Sequence, residues 1–241
     1  MTKFQSAQHL HQLPSEILNQ AQRDELMHLA SLFPAEKLDA VPMTKTKMLQ
    51  EFVCGSVHIE GNCYTEQEVH QFLKNKHTAG GKPLYAATMI QHHWEGIIWA
   101  MLATPAQVTS PLEVLQMRNR LAEGVHKLPS LQVVEWKILE DMMRAAKSLP
   151  NPFDRAIFLH CYISLLSLYD GINCTGRMLQ VAALASCGIT PLLTLPENLN
   201  LYHYALAQFQ GAMDYSPYVD LFLDNYRRQT EKLLKQQHMV S

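Results

Sequence analysis

A chain of 241 residues, 47% of them hydrophobic, can bury a sizeable core as one domain, or as one domain with an appended bundle. Its 20 Lys and Arg against 22 Asp and Glu leave a net charge of −2 with no basic block, which removes the electrostatic basis for non-specific nucleic-acid binding. No apolar run approaches the roughly 18 residues of a membrane span, and the polar start Met1-Thr2-Lys3-Phe4-Gln5-Ser6 does not read as a leader, so no membrane partner is expected.

Only 10 glycines are present, and apolar residues recur at three-to-four spacing rather than alternating, which predicts an all-α fold. Residues 1–13 are polar and expected to be frayed. Pro14 suits the first turn of a helix reaching Leu32, with Ile17, Leu18, Ala21, Leu26, Leu29 and Ala30 on one face, and Pro34 ends it. A second helix is expected over Thr44–Glu60, capped by Gly61-Asn62. Thr65-Glu66-Gln67-Glu68 is a capping box that opens a third, with Val69, Phe72 and Leu73 inward. Residues 74–82 are polar, contain Gly80-Gly81 and read as a loop.

A helix over Pro83–Leu102 follows. Its adjacent His92 and His93 point about 100° apart, so they cannot share a metal ion. Ser110-Pro111-Leu112-Glu113 is a second capping box, for a helix expected to reach His126. Residues 127–130 read as a turn, and Leu131–Ser148 as an amphipathic helix. Pro150-Asn151-Pro152 breaks the chain before a central helix over Phe153–Leu168, in which His160 reads as a buried, hydrogen-bonded residue. Gly188 then caps the next helix, and the last two helices are expected over Leu201–Gly211 and Tyr218–Gln236. The five cysteines (Cys54, Cys63, Cys161, Cys174 and Cys187) are odd in number and form no C-x-x-C pair, which points to reduced thiols in a cytoplasm.

The stretch that organises the chain is the junction after the central helix. Asp170-Gly171 is a turn signal, and Thr175-Gly176-Arg177 opens a second apolar run from Met178 to Leu184. In this helix–loop–helix the free N–H groups of the second helix face the loop and could receive an anion, with Arg177 adding a forked donor to a phosphate.

Residues 166–177 resemble the signature loop of Fic (Fido) domain proteins, H-P-F-x-(D/E)-G-N-G-R-x-x-R, and the likeness extends over residues 45–235. Asp170, Gly171, Thr175, Gly176 and Arg177 match in register. Leu166 stands where the family has its catalytic His, Ser167-Leu168 where it has Pro-Phe, and Ile172-Asn173-Cys174 where it has Asn-Gly-Arg. The segment Ser56-Val57-His58-Ile59-Glu60-Gly61-Asn62 resembles the family's inhibitory motif (S/T)-x-x-x-E-(G/N), in which the Glu pairs with the second Arg of the loop.

The resemblance implies a Fic-type helical bundle around a central helix–loop–helix, with a short β-hairpin flap near residues 74–82. It implies an N-terminal helical extension (1–43), a Fic-like domain (44–236) that includes the inhibitory-type helix 44–61, and a tail (237–241). By the same carry-over, Gly171, Asn173, Thr175, Gly176 and Arg177 would hold the phosphates of ATP, Asp170 would hold Mg²⁺, and Ser56 and Glu60 would be inhibitory. Most Fic proteins transfer AMP from ATP to protein hydroxyls. Leu166 cannot accept a proton, and a general base contributes about 10²- to 10⁴-fold in rate. The expected function is therefore that of a catalytically impaired relative of the protein adenylyltransferases, acting through nucleotide binding, protein interaction or both. One alternative is an active nucleotidyl- or phosphoryl-transferase with altered chemistry, using another base or another phosphate donor or acceptor; Cys174, near a helix N-terminus, could be a nucleophile but reads as a buried or bystander thiol. Another is a structural scaffold. The partners implied are a nucleotide, a target or partner protein, and a second copy of the chain in a homodimer. A cytoplasmic protein is expected; some Fic-like proteins are secreted effectors without a classical signal, and the composition is compatible with that alternative.

Overall fold

A computed structural model describes residues 16–125, 133–166 and 173–240, and every regular element in them is an α-helix. The helices are α1 (Gln20–Leu32), α2 (Ala35–Asp39), α3 (Pro42–Ile59), α4 (Glu66–Asn75), α5 (Leu84–Leu102) and α6 (Pro105–Val108). They continue with α7 (Pro111–Ala122), α8 (Val133–Ser148), α9 (Pro152–Leu166), α10 (Cys174–Ala185), α11 (Leu199–Ala212) and α12 (Ser216–Val240).

The core is built on α10, whose residues are buried without a break from Cys174 to Leu184. A helix buried on all sides has no solvent face, so other helices must wrap it. Helix α9 lies along one side of it, α5 and α7 along another, and α8, α11 and α12 complete the packing around α9. Gly176 sets the spacing of the central pair. A Cβ on it would stand 3.0 Å from the His160 carbonyl oxygen and 3.5 Å from the Ile163 side chain. Any side chain larger than hydrogen would push α10 off α9.

Helix α1 begins at Gln20, not at Pro14. Asn19 caps it in a reciprocal box with Gln22. The residues before it are held outside the helix, because the N–H groups of Ile17 and Leu18 donate to Asp154 Oδ1 at 3.3 and 2.8 Å. Arg23 pairs with the other oxygen of Asp154 at 3.1 Å. Asp154 is a buried first-turn residue of α9, where a carboxylate also suits the helix dipole. One side chain thus fastens the N-terminal segment to the start of α9.

Two short helices, α2 and α6, were not anticipated. The second starts from a Thr104–Gln107 capping box that the sequence does display. Helix α7 stops at Ala122 rather than near His126, because Glu123 leaves helical geometry and Gly124 takes φ +68°. Ser110 caps α7 by accepting from the Glu113 N–H, while its own N–H goes to the Gln107 carbonyl. The residues expected to form a tail from 237 instead continue α12 to Val240.

The expected flap is not a hairpin. Lys76 ends α4 in a left-handed conformation, and residues 77–83 form a loop with no strand. That loop is tied down: Ala79 N–H donates to the Tyr64 hydroxyl at 3.1 Å, and the Lys82 ammonium bonds the Cys63 carbonyl at 2.8 Å and pairs with Glu68. No helix among the described residues is long and apolar enough to cross a membrane. The expectations for residues 1–13, for the turn at 127–130 and for Asp170-Gly171 lie outside the described residues, as does the side chain of Leu166.

The close approach at Gly176 sets the sign of a substitution. Gly176→Ala should destabilise by about 1–3 kcal/mol through overpacking, against the helix preference for alanine. Gly211→Ala, in α11 with open space around its Cβ position, should stabilise by about 0.5–1 kcal/mol. Urea unfolding of the two variants reads both signs.

Candidate functional site

The site forms where the last turn of α3 meets the first turn of α10. Helix α3 ends in a Schellman cap, with Gly61 at φ +80°, the Gly61 N–H on the His58 carbonyl at 3.0 Å and the Asn62 N–H on the Val57 carbonyl at 2.9 Å. Asn62 then locks the cap to its surroundings. Its Nδ2 donates to the Ala86 carbonyl of α5 at 2.8 Å, and its Oδ1 accepts from the Tyr64 N–H at 2.9 Å. Glu60, the C-cap residue, is therefore presented from a fixed backbone.

Arg177, in the first turn of α10, is 1% exposed and points at this helix end. Its Nε donates to Ser56 Oγ at 2.9 Å. Its Nη2 donates to the Ser56 carbonyl at 3.2 Å and to Glu60 Oε1 at 2.6 Å, and its Nη1 donates to the Tyr202 hydroxyl at 3.2 Å. Ser56 is fully buried, and the Glu60 side chain is 7% exposed. The Ser56 carbonyl belongs to the last turn of α3, whose carbonyls lack partners within the helix, and Arg177 supplies one. The sequence motif thus brings Ser56, Glu60 and Arg177 together.

The electrostatics of this cluster are unequal. A guanidinium at the C-terminus of α3 is favoured by that helix's dipole, whereas a carboxylate there is not. Glu60 is therefore held against the field of its own helix by its partner, and Arg177 stands against the field at the N-terminus of α10. A second anion near the α10 N-terminus would be favoured by both the helix and Arg177.

That N-terminus has unused capacity among the described residues. Asn173, half-buried, takes helical angles at the N-cap position and makes no side-chain cap bond. Thr175 is buried with its Oγ1 lacking a hydrogen-bond partner. The missing side chain of Gly176 is explained by its packing on α9, and its backbone N–H remains a first-turn donor. Cys174 is buried, and burial, followed by the Glu60 carboxylate, pushes its thiol well above the usual range. It stays protonated, which removes it as a nucleophile.

His160 lies directly behind the arginine. Its Nε2 is 3.0 Å from the Tyr202 hydroxyl, and its ring stacks on Tyr218 with centroids 4.7 Å apart. Burial, and then the Arg177 charge, lower its pKa to about 3, so at neutral pH it is a neutral core imidazole and not a base in waiting. Tyr202 was missed as a partner of Arg177. The signal was slight: a tyrosine in an apolar helix needs a partner for its hydroxyl once buried.

No family model matches the chain, and no curated protein does. Solved structures do match. Fic-1 from C. elegans superposes with a TM-score of 0.77 at 18% identity, over 92% of this chain and 74% of that one. The chain has the Fic fold. A glutamate-to-glycine variant of the same nematode protein matches at a TM-score of 0.74 and 18% identity, over 91% and 73% of the two chains. A Fic family protein from Desulfovibrio desulfuricans G20 matches at 0.73 and 14%, over 93% and 77%. In this Fic-fold chain Arg177 of α10 is buried against Glu60 at the end of α3, while Asp170 and Gly171 lie outside the described residues.

The depressed pKa of His160 gives a pH dependence with a definite sign. The unfolded histidine titrates at 6.5 and the folded one at about 3, so the unfolded chain takes up the proton first as pH falls. The group's stabilisation is complete above pH 6.5 and is lost on acidification towards pH 3, at about 1.4 kcal/mol per pH unit. Urea unfolding between roughly pH 6 and pH 4.5 should show this slope in the wild type, and a shallower one in His160→Gln.

Proposed function

We propose that this chain is a nucleotide-responsive Fic-fold protein held in a latched state and impaired in ordinary AMP transfer. The observation that carries the reading is the buried pair of Glu60 and Arg177, 2.6 Å apart, joining the C-terminus of α3 to the N-terminus of α10. A buried pair of this kind adds little net stability over an apolar contact, because desolvation consumes most of its attraction. Its value here lies in being exchangeable: a phosphate of ATP can replace the Glu60 carboxylate as the partner of Arg177.

The residues present suit a polyphosphate. Thr175 Oγ1 and the first-turn amides of α10 would donate to its oxygens, with Asn173 at the mouth and Arg177 at the terminal phosphate. Asp170 would hold Mg²⁺, which would neutralise phosphate charge, and Gly171 would let the backbone pass close to the phosphates. While Glu60 occupies Arg177, the terminal phosphate lacks its cationic partner. Impairment follows from Leu166, whose hydrocarbon side chain cannot take the proton of a target hydroxyl. The protein would then signal through its nucleotide-bound shape to a partner protein or to a second copy of itself. Five unpaired cysteines suit a reducing, cytoplasmic setting.

Calorimetric titration of Mg·ATP into the wild type and Glu60→Gly tests this. Glu60→Gly should be less stable alone by about 3 kcal/mol, because it leaves a buried guanidinium short of its counter-charge. It should bind Mg·ATP at least about tenfold more tightly, and saturating nucleotide should return about 2–3 kcal/mol of the lost stability. Equal affinity in the two proteins would end the latch reading. Efficient transfer of labelled AMP by the wild type would end the claim of impairment.

A further inference from the structure

We propose that Tyr202 is the positioning residue for Arg177: its hydroxyl, oriented by His160, keeps the guanidinium in place once Glu60 has let go. The role this gives Arg177 towards a nucleotide rests on the reading above, whereas the positioning itself does not.

The partners of Arg177 fall into two groups. Ser56 and Glu60 belong to the end of α3, and Tyr202 belongs to α11. A guanidinium can only donate, so at the Tyr202 oxygen it occupies a lone pair and leaves the phenolic proton for another acceptor. That acceptor is His160 Nε2, 3.0 Å away. The Tyr202 oxygen has a second lone pair, so an Nε2–H could also donate to it; the proposed chain is the one that uses the phenolic proton, in which Arg177 donates to Tyr202 and Tyr202 to a bare Nε2. His160 then carries its single proton on Nδ1, a buried atom with no hydrogen-bond partner among the described residues.

His160 is itself closely packed. Its backbone is the surface that Gly176 packs against, and its ring lies parallel to that of Tyr218 on α12. The Tyr218 hydroxyl donates to Gln180 Oε1 of α10 at 2.5 Å. The support behind Arg177 therefore draws on α9, α10, α11 and α12, and none of them carries Glu60.

Among the described residues, the cavity beside the guanidinium gives it little room to retreat. That cavity, lined by His160, Arg177, Gln180, Thr194, Tyr202 and Tyr218 among others, measures about 20 Å³. That is room for one water molecule. When Glu60 leaves, Arg177 faces the space the carboxylate vacated, held on one edge by Ser56 and on the other by Tyr202, so little orientational freedom remains to be lost.

Two resonance measurements, made without nucleotide, decide the matter. The first follows the Arg177 Nη1–H groups, one of which donates to Tyr202, by ¹⁵N–¹H spectroscopy in Glu60→Gly and in Glu60→Gly/Tyr202→Phe, with circular dichroism confirming the fold. In the single variant the resonances should stay resolved and slow to exchange, and in the double variant exchange should quicken at least tenfold. Fast exchange already in the single variant, or equal protection in both, would overturn the proposal. The second needs no substitution. The ¹⁵N shifts of His160 in the wild type should report the Nδ1–H tautomer with Nε2 bare, and an Nε2–H tautomer would reverse the chain and sink the idea. Should Glu60→Gly fail to bind Mg·ATP, the nucleotide reading falls and these two measurements still decide the part played by Tyr202.

Discussion

A charged side chain with almost no exposure governs this structure. Burying an arginine is tolerable only if its charge and its donors are all answered, and four of the five N–H groups of Arg177 are accounted for by Ser56, Glu60 and Tyr202. Meeting that demand fixes the relation of three helices. The last turn of α3 must end where the guanidinium needs a carbonyl and a carboxylate, and α11 must bring a hydroxyl to its other edge. Helix α10 must be sunk into the core so that the arginine arrives from within. The apolar packing around α10 supplies the driving force, while the arginine selects the register in which that packing closes.

The two helix ends play opposite parts. Helix α3 gains a cation at its negative pole and accepts, as a consequence, an anion that its dipole opposes. Helix α10 begins with a cation that its dipole opposes and with donors that no described side chain satisfies. The unfavourable halves lie side by side, so the arrangement is stable as a whole and vulnerable at one contact. Among the described residues, directional bonds flank that contact, from the Schellman cap with its Asn62 anchor to the Tyr202–His160 pair.

Much of this was legible in the sequence because it was local. The Gly61-Asn62 cap, the Thr65–Glu68 box and the Ser110 cap each depend on residues within five positions, and each formed as local chemistry requires. The meeting of Ser56, Glu60 and Arg177 is not local, and a motif matched in order along the chain made it visible. Where no motif existed, distant contacts were invisible. The start of α1 was misplaced because Asp154, more than 130 residues away, captures the N–H groups of Ile17 and Leu18. Tyr202 went unrecognised as a partner of Arg177 for the same reason, since its hydroxyl acts across a helix interface. The flap was expected by analogy, yet residues 77–83 carry too few apolar side chains to pair as strands and are instead fastened individually to Tyr64, Cys63 and Glu68.

The glycine at position 176 has a meaning beyond the spacing of two helices. It lies one residue before Arg177 and directly against the backbone of His160, so the interval between α9 and α10 and the reach of the guanidinium are set by the same few atoms. Core and site therefore share a single dimensional standard. A chain diverging elsewhere could exchange leucine for methionine along α10 and keep both. Enlarging residue 176 would shift Arg177 relative to its partners on α3 and α11 at once. The tolerance of this interior to sequence drift is thus bounded by the geometry of one ion pair at its rim.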